Sequence, residues 1–200
     1  DRVATPPSLA SHCSEALAYL PHTFMAAGRI AIPEEIPTRT QEGLPEDGII
    51  YASFNATHKL DPAAFAVWMK ILISVPGSVL WLQAANEAIQ NRLRATATLQ
   101  GIDSNRIVFA ERKDRAEHLA RHQLANVCLD VFHHTGGVTT LDALLAGVPV
   151  ITIAGESQSA RTSASILSAL GTPEWIHNDV TDYTAAAVAL GTDNDRLHEA

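Results

Sequence analysis

A doubly wound α/β fold with a parallel, Rossmann-like sheet is predicted by three features of the sequence. Short apolar runs alternate with helical runs, glycines stand where the helical runs stop, and polar residues gather in the segments that follow each apolar run. Strands buried on both faces read as continuous apolar stretches, and the helices between them supply the crossovers that parallel pairing needs. With 200 residues, 46% of them hydrophobic, the chain is long enough for one such domain without disulfide staples.

The elements follow in order. Residues 1–45 hold six of the ten prolines and show no sustained period, so they read as a linker or apron, with the domain proper at 46–200. "GIIYASF" is the first strand, and "DPAAFAVWMKILISV" its crossover helix, with Pro62 suited to a first turn and Phe65, Met69 and Leu72 on one stripe. The unit repeats as "SVLWLQ" with "NEAIQNRLRATATLQG", "RIVFAE" with "RAEHLARHQLA", "VCLDV" with "TTLDALLAG", and "VPVITIAG" with "SARTSASILSALG". A weaker pair, "EWIHN" and "TDYTAAAVALG", closes the series, and Gly101, Gly147 and Gly171 mark helix ends.

The formal charge of −8 argues against nucleic-acid partners and anionic membranes, whose binders present basic faces, so any anion site must be local. No apolar stretch reaches the length of a membrane span, the N-terminal residues lack a leader pattern, and Cys128 in "NVCLDV" reads as a buried, reduced thiol. A cytoplasmic location is expected.

Ligands of open parallel sheets bind beyond the carboxyl ends of the strands, which directs attention to five loops. They are residues 55–59, 83–86, 111–115, 133–138 and 155–159. In "TGGVTTLD", Gly136 and Gly137 can turn backbone N–H groups inward ahead of a helix N-terminus, which makes an anion site without a basic protein. The same residues also fit a turn and a capping box from Thr139 to Asp142. Asp142, one turn into the helix, can instead accept from ribose hydroxyls. Lys59 leaves the first strand at the same sheet edge and can act as a point charge on phosphate, or stand as a solvated surface lysine. Arg115, His118 and Arg121 recur on one helix face; they suit a base, or an exposed face paired with Asp114 and Glu117. His133 and His134 have no partners at zinc-like spacing, so no metal is expected. Neither a nucleophile elbow, nor the dinucleotide fingerprint, nor a P-loop is present, which leaves a nucleotide held at a helix N-terminus.

Three long segments carry a resemblance. "SFNATHKLDPAAFAVWMKILISVPGSVLWL", "RIVFAERKDRAEHLARHQLANVCLDVF" and "GVTTLDALLAGVPVITIAGESQSARTSASIL", with "SEALAYLPHTF" before them, closely resemble the C-terminal catalytic half of the O-linked N-acetylglucosamine transferases and their Spindly-like relatives. The resemblance implies a GT-B glycosyltransferase, with this chain as most of its donor-binding domain. It also implies inverting transfer of N-acetylglucosamine from UDP-N-acetylglucosamine to protein Ser or Thr, with neither cofactor nor metal. The partners it implies are an opposing N-terminal catalytic domain and superhelical repeats that receive the acceptor, so this piece alone would not transfer sugar.

By that likeness Lys59 is catalytic and neutralises the donor diphosphate, His118 and Arg121 hold the base, and Arg115 lies near the ribose. Thr139 helps bind phosphate within the loop of Gly136, Gly137 and Val138, and Asp142 takes the ribose hydroxyls. The family's usual "GHTT" is replaced: Gly137 stands where a histidine beside the sugar is expected, Val138 replaces a hydroxyl residue, and Ala56 replaces a polar one. The donor therefore stays open between UDP-N-acetylglucosamine and GDP-fucose. A non-catalytic nucleotide-binding domain is a further alternative, and an epimerase or hydrolase would need an acid/base carboxylate, for which Glu156 is the strand-end candidate.

Overall fold

The computed structural model describes residues 1–28 and 30–200. Six parallel strands form the sheet: β1 (Ile50–Ser53), β2 (Val79–Gln83), β3 (Ile107–Ala110), β4 (Val127–Leu129), β5 (Val150–Ile153) and β6 (Ile176–His177). Their order across the sheet is β3-β2-β1-β4-β5-β6. The chain starts in the middle, winds outward one way, then returns and winds outward the other, which puts the reversal between β1 and β4. In doubly wound sheets this switch point opens a crevice at the strands' carboxyl ends.

The helices between the strands are α1 (Pro62–Ser74), α2 (Glu87–Leu99), α3 (Arg115–His122), α4 (Val138–Leu145) and α5 (Thr162–Leu170). After β6 come α6 (Val180–Thr192) and a short α7 (Asn194–Glu199), which the sequence pattern did not announce. Alternation along β1 divides the core. Tyr51 packs with α1 residues such as Trp68 and Met69 and α6 residues such as Tyr183 and Leu190, whereas Ile50 and Ala52 face Ala143 of α4 and Leu167 of α5. Both faces are thus covered, as the unbroken apolar strands require.

Side chains of Asp or Asn cap most helices: Asp61 accepts from Ala63 and Ala64 N–H, Asn86 from Ile89, Asp114 from Glu117, and Asp179 from Asp182. Gly171 ends α5 in the left-handed region at φ 89°, as expected of a helix-terminal glycine. Gly191 differs, since it lies inside α6 and a Cβ there would sit 2.0 Å from the Tyr51 hydroxyl; it is glycine so that α6 can approach β1.

Residues 1–45, read as an apron, contain only 3₁₀ turns at Pro7–His12 and Thr40–Glu42 among the described residues, and they are tied to the domain. The Asp1 carboxylate accepts from Phe24 N–H and the Ser165 hydroxyl, Thr23 bonds Ser165 at 2.7 Å, and Arg161 donates to Val3 O. Among the described residues no helix is long and apolar enough to cross a membrane.

Candidate functional site

The loops leaving β1 and β4 meet at the switch point, and the residue that joins them is Asp130, which the sequence pattern hides inside an apolar run. Its side chain is buried, and Oδ1 accepts from Val131 N–H, Gly136 N–H at 2.9 Å and Asn55 Nδ2, while Oδ2 accepts from the Thr152 hydroxyl. Burial pushes its pKa up, and the bonds from Gly136, Thr152 and Val131 work against that shift. The backbone carbonyl of Asp130 also receives the Tyr183 hydroxyl, so the loop's first residue is held from three directions.

The rest of the loop is bonded in the same way. Thr135 is anchored by its N–H and its hydroxyl to Ser159 O, Ser163 donates to Gly136 O, and the Thr140 hydroxyl bonds Ser163. Thr139, on the opposite side, donates to Asn55 Oδ1 at 3.2 Å. A Cβ on Gly136 would lie 2.3 Å from Thr140 Oγ1 and 2.7 Å from Thr139 Oγ1, so glycine here is a matter of space. Gly137 is N-cap of α4, with its hypothetical Cβ 3.1 Å from the end of the Met25 side chain.

No side chain caps α4. The capping-box alternative is thereby corrected: Thr139 and Asp142 lie inside the helix, and both side chains bond elsewhere. Its first N–H groups, which have no intrahelical partners, are left at the switch point together with the positive end of the helix dipole. Lys59, at the end of a 3₁₀ turn after β1, reaches the same place, with Nζ 3.5 Å from Thr135 O. Val138, the first residue of α4, is half exposed.

Arg115 and Asp142 form a second group. Arg115 Nη2 lies 2.7 Å from Asp142 Oδ1 and Nη1 3.5 Å from Oδ2, across from α3 to α4. Burial raises the Asp142 pKa, and the guanidinium draws it back. This replaces the exposed pairing with Asp114 and Glu117, because Asp114 is the cap of α3.

His118 is half-buried in an aromatic cluster with Phe54 and His122, ring centroids 5.1 and 4.5 Å away. Arg121 Nε and Nη2 both converge on His118 Nδ1, at 3.1 and 2.7 Å. A nitrogen that accepts has no proton, so the hydrogen of the neutral ring is on Nε2. Burial, with His122, Arg121 and Arg115 nearby, lowers the His118 pKa to about 3, which keeps the ring neutral. Arg121 itself is 1% exposed, so it does not share an open face with Arg115 and His118. Its Nη1 donates to Glu111 O and its plane lies over Phe54 and Trp81.

His133 and His134 are exposed, as is Glu156, and no three His, Cys, Asp or Glu side chains converge among the described residues. Cys128 is a free, buried thiol whose pKa burial pushes up to about 12.

Residues 25–200 match glycosyl transferase family 41. The chain is 39% identical over 175 residues, 84% of its length, to the UDP-N-acetylglucosamine–peptide N-acetylglucosaminyltransferase of Caenorhabditis elegans, of which it covers 15%. It is 35% identical over 98% of its length to the probable enzyme of that name, SEC, from Arabidopsis thaliana, covering 21% of it. A mutant O-GlcNAc transferase of Thermobaculum terrenum superposes along the whole chain with a TM-score of 0.89 at 26% identity, and the chain covers 38% of that protein. The chain thus spans about a fifth or less of the curated relatives' length.

Proposed function

The chain belongs to glycosyl transferase family 41, and from that premise we propose that it is the donor-binding half of a GT-B protein O-glycosyltransferase, holding UDP-N-acetylglucosamine for transfer to Ser or Thr of a protein. The observation that carries the reading is the uncapped α4 at the switch point, with Lys59 beside it. A diphosphate placed there meets backbone N–H groups, a helix dipole and an ammonium group together.

In this reading the Thr139 hydroxyl adds a donor to the phosphate, and His118 meets the base. Its Nε2–H asks for a carbonyl acceptor, which uracil supplies, as does guanine. Asp142, fixed by Arg115, keeps lone pairs for ribose hydroxyls. Arg121 acts from behind His118, since its donors are already engaged.

Sugar transfer separates charge as the diphosphate leaves, and Lys59 with the helix end would hold that charge electrostatically. Inversion and independence from metal belong to the same proposal. The acceptor and a general base would come from the opposing domain and the repeats of the larger protein. A reducing, cytoplasmic setting is also proposed, supported by the free thiol of Cys128.

Calorimetric titration of the chain with UDP, GDP and their sugar conjugates, repeated on Asp142→Ala, tests this. Saturable UDP binding that the variant loses is the expected result. Preference for GDP would move the donor to a GDP-sugar such as GDP-fucose, and no binding by the folded chain would remove the site.

A further inference from the structure

The geometry points to Glu42, on the N-terminal apron, as a positioning residue for base recognition: acting through Arg121, its carboxylate holds the His118 ring in the tautomer that offers Nε2–H. The inference rests on the reading that His118 meets the base. The Glu42 side chain is 4% exposed, pairs with Lys113, and places Oε2 3.7 Å from Arg121 Nη1. Its backbone is fixed by a 3₁₀ turn that Gly43 closes in the left-handed region at φ 68°. Arg39, the residue just before the turn, donates to Glu46 O and Gly48 O, so the turn is clamped where the chain approaches β1.

The consequence lies in the orientation of one guanidinium group. Arg121 cannot shed its charge, and at 1% exposure water does not neutralise it. Its Nη1 edge is directed to Glu111 O and Glu42, which turns the Nε and Nη2 edge towards His118 Nδ1. Phe54 and Trp81 limit motion across its plane. The planar fork therefore transmits the position of the Glu42 carboxylate to the protonation pattern of a ring on the other side. Without the anion, a buried cation is left uncompensated, the guanidinium shifts to recover solvent, and Nδ1 is released. His118 then samples both tautomers, and the Nδ1-protonated one presents a lone pair where a donor is needed.

The test is nitrogen-15 NMR of the imidazoles in the complete 200-residue chain, without nucleotide, followed by titration with UDP. Wild-type chain is expected to show one His118 tautomer, protonated on Nε2. In Glu42→Gln, a near-isosteric change, the His118 signals move towards the Nδ1-protonated tautomer, and the dissociation constant for UDP rises in proportion to the Nε2-protonated fraction lost, about twofold for an even mixture. Unchanged His118 signals in folded Glu42→Gln overturn the proposal, as do moved signals with unchanged affinity. If Glu42→Gln does not fold, Arg121→Lys keeps the charge beside Glu42 but withdraws the fork, and the same shift of the His118 signals is required. A wild-type chain with the expected tautomer that binds UDP no differently from His118→Ala leaves Glu42 no base contact to position, and overturns the base-recognition reading beneath it.

Discussion

Asp130 Oδ1 accepts the backbone N–H of Gly136 at 2.9 Å, across six residues of loop. The same oxygen receives Asn55 from the loop after β1, so one buried atom sets the separation of the two loops between which an anion would sit. Replacing Asp130 by Ala strands these donors in a site too buried for water to reach freely. Each unsatisfied buried group costs about 1–3 kcal/mol, and we expect a loss of about 3 kcal/mol or more in urea unfolding. Asp130→Asn keeps an Oδ1 acceptor and costs less. Equal unfolding midpoints for Asp130→Ala and wild type would remove Asp130 as the loop's organiser.

The two adjacent glycines should respond differently to a single methyl group. At Gly136 the methyl meets two threonine hydroxyls that are committed to Ser163 and Asn55, so neither can move without breaking its own bond. At Gly137 it meets the tip of a flexible methionine at 3.1 Å, and the backbone φ of −120° lies outside the left-handed region. Gly136→Ala is expected to cost about 1–3 kcal/mol and abolish UDP binding, and Gly137→Ala less than about 1 kcal/mol. Chemical denaturation and calorimetry on the pair decide it, and a reversed order would contradict the packing described.

The contrast between these residues and Arg121 shows what the sequence makes legible. Strands buried on both faces and glycine-terminated helices announce a doubly wound sheet, and the sheet rule then points to five strand-end loops, among which the strand order selects those after β1 and β4. Lys59, Gly136 and Asp142 are found that way. Arg121, which its spacing sets on one face with Arg115 and His118, is instead buried, because a spacing of three residues drifts by about 60° per step on a helix of 3.6 residues per turn. Arg115 and Arg121 are thus about 120° apart, and the second turns into the core. Asp130 was masked by its apolar neighbours, and Glu42 by an apron whose proline-rich texture gives no period to read. Both owe their roles to contacts distant in sequence.

Gly191 makes a prediction about the fold, in which two magnitudes compete. Alanine is the better helix former by about 1 kcal/mol, so Gly191→Ala in an isolated helix would stabilise. In α6 the added Cβ lies 2.0 Å from the hydroxyl of Tyr51, which is fully buried and donates to Ala187 O. Either α6 moves off β1 or the tyrosine loses its acceptor, and overpacking of this kind costs about 1–3 kcal/mol. The variant should therefore be destabilised, and Tyr51→Phe, which removes the clashing oxygen, should recover part of the loss. A more stable Gly191→Ala would show that α6 can shift freely.

Two buried rings should make the domain sensitive to acid. His122 is 1% exposed, and burial and Arg121 lower its pKa to about 4 against the pull of its bond to His118 O; His118 lies lower, at about 3. In the unfolded chain both rings take up protons below about pH 6.5, whereas in the fold they stay neutral. Their contribution is therefore complete above pH 6.5 and is lost as the pH falls towards 4, each unmatched proton removing about 1.4 kcal/mol per pH unit. Urea unfolding at pH 7.5 and pH 5.0 should show this loss, and His122→Leu, which has no proton to gain, should show a shallower dependence. An equal pH dependence in His122→Leu and wild type would mean that the His122 ring is already charged or accessible in the folded state, whatever the oppositely shifted carboxylates of Asp130 and Asp142 contribute.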